Sequence, residues 1–225
     1  MFFPTNSPLH QDGTVVATAF ELVSHVVALP YIWELVKYKK IYEAMALSAS
    51  VVMSLMYHMC NGFFFCFALS REDSRLGDYI FSNYIVPVVF LSILQGDHPE
   101  RAPIIVTRFA LLALTVYAQL AFRFQFTAVV FLTMGTCLAV PAMLLFLRNH
   151  FRLPSAKRFR PWLMLASVLL AGAGVALFLA DANGVYYDYL HPIWHVLIYT
   201  AAYLAIVSAN KGTMPLLLVD TQCGG

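Results

Sequence analysis

The sequence predicts an all-α polytopic membrane protein of seven transmembrane helices, with the N-terminus outside and the C-terminus in the cytosol. Three observations carry this expectation. First, of 225 residues, 60% are AVILMFWYC and only 12% are Asp, Glu, Lys or Arg. A soluble domain holds roughly 25% charged residues. Second, charged residues and Pro/Gly clusters cut the chain into seven apolar runs. Third, Lys and Arg concentrate on alternate loops. The same composition excludes an ordinary cytosolic enzyme and a disordered chain. The net charge of +2 is too mild for nucleic-acid binding, so no nucleic-acid partner is expected.

The runs are Thr14–Val36, Ile41–Leu69, Asp78–Gln95, Pro103–Tyr117, Phe126–Leu147, Trp162–Ala180 and Leu190–Ala209. Most are long enough to cross about 30 Å of hydrocarbon at about 1.5 Å per residue. The second is long enough to project beyond the bilayer. The fourth is short and carries Arg108. None shows the strict two-residue alternation of a membrane barrel. The N-terminal stretch lacks a basic n-region and contains Pro4 and Pro8, so the first run reads as a retained signal anchor. The expected organisation is a short extracellular N-terminus over 1–13, a seven-helix bundle over 14–209 and a cytosolic tail over 210–225.

Orientation follows from the basic residues. Lys37, Lys39, Lys40, Arg101, Arg148, Arg152, Lys157, Arg158, Arg160 and Lys211 fall on one side. Arg71, Arg75 and Arg123 fall on the other. The positive-inside rule places the first set in the cytosol. Pro30, Pro87 and Pro141 lie inside runs and are expected to kink them. Gly172-x-x-x-Ala176 is expected to bring the sixth helix close to a neighbour.

Three histidines fall at one depth. His58 lies about 25 Å above the cytosolic start of the second run by helical rise. His191 and His195 open the last run from the outside and share a helix face. Pro192 is expected in that helix's first turn, where its missing N–H breaks no helical bond. Three imidazoles with an open fourth position are a common donor set for catalytic Zn²⁺. Asp78, on the same side, is placed to take a proton from bound water or to orient a ligand histidine. Ser54, one turn below His58, is placed to donate a hydrogen bond. The competing reading is that these histidines only hydrogen-bond across helices. His10, His25, His98 and His150 read as structural or solvated. The tyrosines near 186–189 and Trp194 read as an interfacial belt.

The ordered set Ser54-x-x-x-His58, Asp78, His191-x-x-x-His195 resembles a hydrolase-like heptahelical superfamily. That group includes alkaline ceramidases, progestin/adipoQ receptors and lipases acting on GPI anchors. Glu43-Ala44-Met45, His58-Met59-Cys60-Asn61-Gly62 and Asp97-His98-Pro99-Glu100-Arg101 narrow the resemblance to the myomaker family of myoblast-fusion proteins. That resemblance implies Zn²⁺ held by His58, His191 and His195, with Asp78 and Ser54 beside it. It implies a plasma-membrane location, with the Golgi as a further site, and a role in cell–cell fusion through membrane remodelling. Membrane lipids, a second copy of the chain as a homodimer and a small fusion-partner membrane protein are the expected partners. Vertebrate myomakers carry a cysteine cluster in the tail, whereas Cys223 alone is present here as a lipidation candidate. It is not at the CaaX position, which argues against prenylation. The alternative reading is a zinc-dependent lipid hydrolase, a ceramidase-like amidase or phospholipase-like esterase facing the outer leaflet. A rhodopsin-like receptor is disfavoured, since no Asp-Arg-Tyr ends the third run and no Asn-Pro-x-x-Tyr lies in the last.

Overall fold

The computed structural model describes residues 15–95, 102–122, 160–180 and 187–210, and every regular element among them is helical. In chain order these are α1 (Val15–Ser24), α2 (Ala28–Lys37), α3 (Ile41–Gly62), α4 (Arg71–Gln95), α5 (Ala102–Ala121), α6 (Pro161–Ala180) and α7 (Tyr187–Ala209). A 3₁₀ turn, His25–Val27, joins α1 to α2. The predicted fifth run, Phe126–Leu147, lies outside the described residues, as do Pro141, Cys223, the predicted N-terminal stretch 1–13 and residues 211–225.

Among the described residues, five helical stretches are long and apolar enough to cross a membrane: Val15–Lys37, Arg71–Gln95, Ile104–Ala121, Pro161–Phe178 and Tyr189–Ala209. The chain is a multi-pass helical membrane protein. Helix α3 has 22 residues, about 33 Å at the usual helical rise. Its apolar average is diluted by Glu43, Ser50, Ser54, His58 and Asn61, all of them buried. That helix is polar because it faces the interior of the bundle.

Each predicted run has shifted boundaries where it is described. The second ends as a helix at Gly62, and residues 63–70 form a loop closed by a Cys60–Cys66 disulfide with Cα atoms 4.3 Å apart. The third begins at Arg71, seven residues before Asp78, because its charged first turns continue the helix beyond its apolar stretch. The fourth extends to 20 residues. Pro30 sits just after the 3₁₀ turn. Its ring replaces the N–H that would bond back to residue 26, which accounts for the tightened backbone there. Pro87 lies within α4, which continues through it as helix. Pro192 corrects the expectation of a first-turn position, since α7 starts at Tyr187 and the proline lies inside the helix.

Helix α3 packs on α4 and also touches α1 and α2. Helix α7 packs on α6, α1 and α4. The apolar core between them includes Leu35, Leu47, Val51, Ile85, Tyr203 and Ile206. A second apolar cluster, with Val88, Leu91 and Leu111, joins α3, α4 and α5. Close helix approach comes from glycines. A Cβ on Gly62 would overlap the Thr18 side chain of α1, and one on Gly174 would meet Ile198 of α7 at 3.0 Å. Gly172 was expected to make the close approach, but it meets no described side chain. Its neighbour two residues on faces α7 instead.

Arg108 is almost fully buried. Its Nη2 donates to Glu43 Oε1 of α3 at 2.7 Å and to Gln95 Oε1 of α4 at 3.1 Å. Its guanidinium carbon stands 4.8 Å from the centre of the Tyr42 ring. Tyr84 Oη donates to the Arg108 carbonyl at 3.0 Å. A cation inside an apolar helix is tolerated when such partners surround it. This network occupies the end of the bundle that carries Lys37, Lys39 and Lys40. Arg160, at the start of α6, is tied through its backbone N–H to the Ser208 carbonyl near the end of α7 at 2.9 Å. The histidines of α3 and α7 lie toward the opposite end.

Candidate metal centre

Three helices place four donors at that opposite end. Helix α1 contributes Glu21. Helix α3 contributes His58, four residues before its end. Helix α7 contributes His191 and His195, four and eight residues after its start, hence about 6 and 12 Å along it. The ligand atoms of Glu21, His58, His191 and His195 lie within 4.8 Å of one another. Glu21, His58 and His195 are buried, and His191 is half-buried. The structure brings His58, His191 and His195 together, with ring centres 5.2 Å apart for His58 and His191, and 4.6 Å for His191 and His195.

The glutamate was not anticipated. Glu21 Oε2 is 3.9 Å from both His58 Nε2 and His195 Nε2. These separations exceed hydrogen-bond length, so interhelical hydrogen bonds between these atoms do not account for the cluster. A tetrahedral Zn²⁺ with bonds of about 2.0–2.1 Å puts its donors roughly 3.3–3.5 Å apart. Side-chain rotations moving each donor by up to about 1 Å close this set on such an ion. The donor set fits as well. Three neutral imidazoles and one carboxylate suit zinc, and a buried carboxylate in a membrane helix is costly without a cation.

His25 also belongs to this neighbourhood, although its position midway along the first run had read as structural. Its ring centre is 4.2 Å from that of His195. Its Nδ1 lies 2.7 Å from the Glu21 carbonyl, which can only accept, so Nδ1 carries the proton. The Ser24 hydroxyl donates to the same carbonyl at 2.6 Å. The last turn of α1 is thereby fixed just after the glutamate. A sequence signal existed: Glu21-x-x-x-His25 puts an acid and an imidazole on one helix face inside an apolar run.

Asp78 and Ser54 are both buried. The Ser54 hydroxyl and the His58 ring are both neighbours of the Asp78 carboxyl. Ser82 Oγ donates to Asp78 Oδ1 at 3.4 Å. Asp78 is not among the four clustered donors, so it stands beside the histidines and Glu21 stands among them. Trp194 stacks on His191 with ring centres 5.1 Å apart and also meets the His195 ring edge-on at 4.7 Å.

A family model described as a protein of unknown function (DUF3522) matches residues 13–196. That stretch contains all four clustered donors together with Ser54 and Asp78. No curated protein matches the chain.

Proposed function

The chain belongs to the DUF3522 family of proteins of unknown function, and we propose that it is a cell-surface protein that holds Zn²⁺ among α1, α3 and α7 and promotes membrane remodelling and cell–cell fusion, as the resemblance to myomakers implies. The observation that carries the zinc assignment is the convergence of Glu21, His58, His191 and His195 from three helices. The role in fusion is supported by the Ser54, His58, Asp78, His191 and His195 pattern, which the fold brings to one end of the bundle.

In this proposal the cluster lies at the exoplasmic side of the plasma membrane. Two features support that orientation. The lysines at 37, 39 and 40 sit at the opposite end, as expected of a cytosolic face. The Cys60–Cys66 disulfide sits at the cluster end, and disulfides persist in oxidising compartments. A tag placed before Thr14 is expected to label on intact cells, and a tag after Gly225 only after permeabilisation. Labelling of both tags on intact cells would rule out seven spans with termini on opposite sides.

Within the site, His58, His191 and His195 supply neutral nitrogens and Glu21 supplies the negative charge. Zinc held there would polarise a carbonyl oxygen or acidify a water near neutral pH. If the ion only braces the helices, Glu21 serves as a fourth ligand and Asp78 as a hydrogen-bond partner. The placement of Asp78 and Ser54 beside His58 favours a second reading, a zinc-dependent lipid amidase or esterase. In that case the Asp78 carboxylate would take the proton from the attacking water and pass it to the departing amine or alcohol, and the Ser54 hydroxyl would donate to the oxygen that gains charge.

Asp78→Asn separates the two. The bracing role predicts that the variant keeps its metal, its surface level and most of its activity in a cell-mixing assay. The hydrolytic role predicts a zinc-loaded protein at the surface whose activity falls by about 10²–10⁴. The second outcome, with a lipid product released by the parent protein and abolished by chelation, would replace fusion by hydrolysis as the primary activity.

A further inference from the structure

The loop between α3 and α4 reads Phe63-Phe64-Phe65-Cys66-Phe67-Ala68-Leu69-Ser70 and contains no charge. All eight residues are exposed, with Phe64 at 72% and Phe67 at 68%. The loop is held in this form. The Cys60–Cys66 disulfide ties it to the last turn of α3. The Phe63 N–H donates to the Met59 carbonyl at 3.1 Å, and the Leu69 N–H to that of Phe67 at 2.8 Å. Phe64 and Ala68 adopt φ of 56° and 63°, a left-handed backbone that residues with a side chain rarely hold without outside constraint. Closed in this way, the loop holds its aromatic rings off the bundle.

Its position identifies what covers it. The apolar part of α4 begins at Leu76, and Leu76–Gln95 is long enough for about 30 Å of hydrocarbon. Arg71, Glu72, Asp73 and Arg75 therefore stand above the hydrocarbon edge. The loop runs from Gly62, at the end of α3, to Ser70, just before those charges. It thus lies between the hydrocarbon edge and headgroup depth, where aromatic residues concentrate. It also continues the outward surface of α3, on which Met45 and Val52 are exposed below Phe63.

We infer that the disulfide-closed loop 63–70 is a lipid-docking wedge whose phenylalanines insert at the headgroup–acyl boundary of the exoplasmic leaflet, with phospholipid as its partner. The assignment rests on the loop and on its height beside α3 and α4, and it holds whether or not the histidine cluster binds zinc. Its leaflet follows from the oxidising side that a disulfide requires.

The test uses full-length protein reconstituted in phosphatidylcholine vesicles, with the photoreactive residue p-benzoylphenylalanine replacing Phe64, Phe67 or, as a control, Glu72. After irradiation, mass spectrometry should find roughly tenfold more phospholipid adduct at positions 64 and 67 than at 72. An equal yield at all three positions, a cross-link to a second copy of the chain, or a cross-link within the chain would overturn the inference. Unmodified protein gives a second readout that does not depend on a variant folding. Chymotrypsin added outside sealed vesicles should leave the Phe63–Phe67 bonds intact while it cuts the same loop in protein unfolded by detergent and reductant. Rapid cleavage there in intact vesicles would show a loop standing in water and would also overturn it.

Discussion

Purified His195→Ala protein is expected to lose most of its zinc, falling from about one ion per chain to less than roughly a fifth of that. His195 is buried against both Glu21 and His25, so its removal takes a buried donor from the ion. Removing groups that merely orient a ligand costs about 10–100-fold in metal affinity, and removing a ligand itself costs more. The change also leaves Glu21 buried among fewer nitrogens, so the variant should melt at a lower temperature and respond less to chelator than the parent. His58→Ala should behave in the same way, since its Nε2 stands equally far from Glu21. His98→Ala, in the connection following α4, should retain full metal content. Elemental analysis of the three proteins decides the matter. Unchanged zinc in the His58 and His195 variants would remove the metal centre.

Arg108→Leu is expected to destabilise the protein by about 3–5 kcal/mol, because it leaves Glu43 buried without its cation. Gln95 loses its donor in the same step. The double variant Arg108→Leu with Glu43→Gln should recover most of the loss. It removes both charges, and replacing a buried pair with uncharged groups is often neutral. Thermal unfolding in one detergent, with surface expression alongside, separates the outcomes. A single variant that melts within about 0.5 kcal/mol of the parent would mean that Arg108 reaches water and the ion pair contributes little.

The membrane class and most helices were legible because a span needs about 20 apolar residues and hydropathy measures that requirement directly. Hydropathy sees the bilayer and not the helix, which explains the errors at the ends. Phe63–Leu69 is as apolar as a span, so the end of α3 at Gly62 was hidden inside one run. Arg71–Arg75 is charged, so the start of α4 was cut away although its backbone is helical. Arg108 counted against α5 because its partners, Glu43 and Gln95, belong to other helices and their convergence is not a property of local sequence. Similar reasoning holds at the cluster. His58, His191 and His195 could be matched by depth, since helical rise converts residue number into height. Depth does not give azimuth, however. It could not show that Glu21 turns toward the histidines.

The cluster draws its donors from the first, third and seventh described helices, which gives it a history during synthesis. Glu21 enters the membrane early and His58 soon after, while His191 and His195 leave the ribosome only after most of the bundle has been made. During that interval an acid and an imidazole in apolar helices wait for the residues that complete their surroundings. If the proposed metal binds this cluster, its capture is a late event, because two of the four donors are made last. A chain stalled or cleaved between α6 and α7 would retain several membrane-competent helices and still lack two of the four donors.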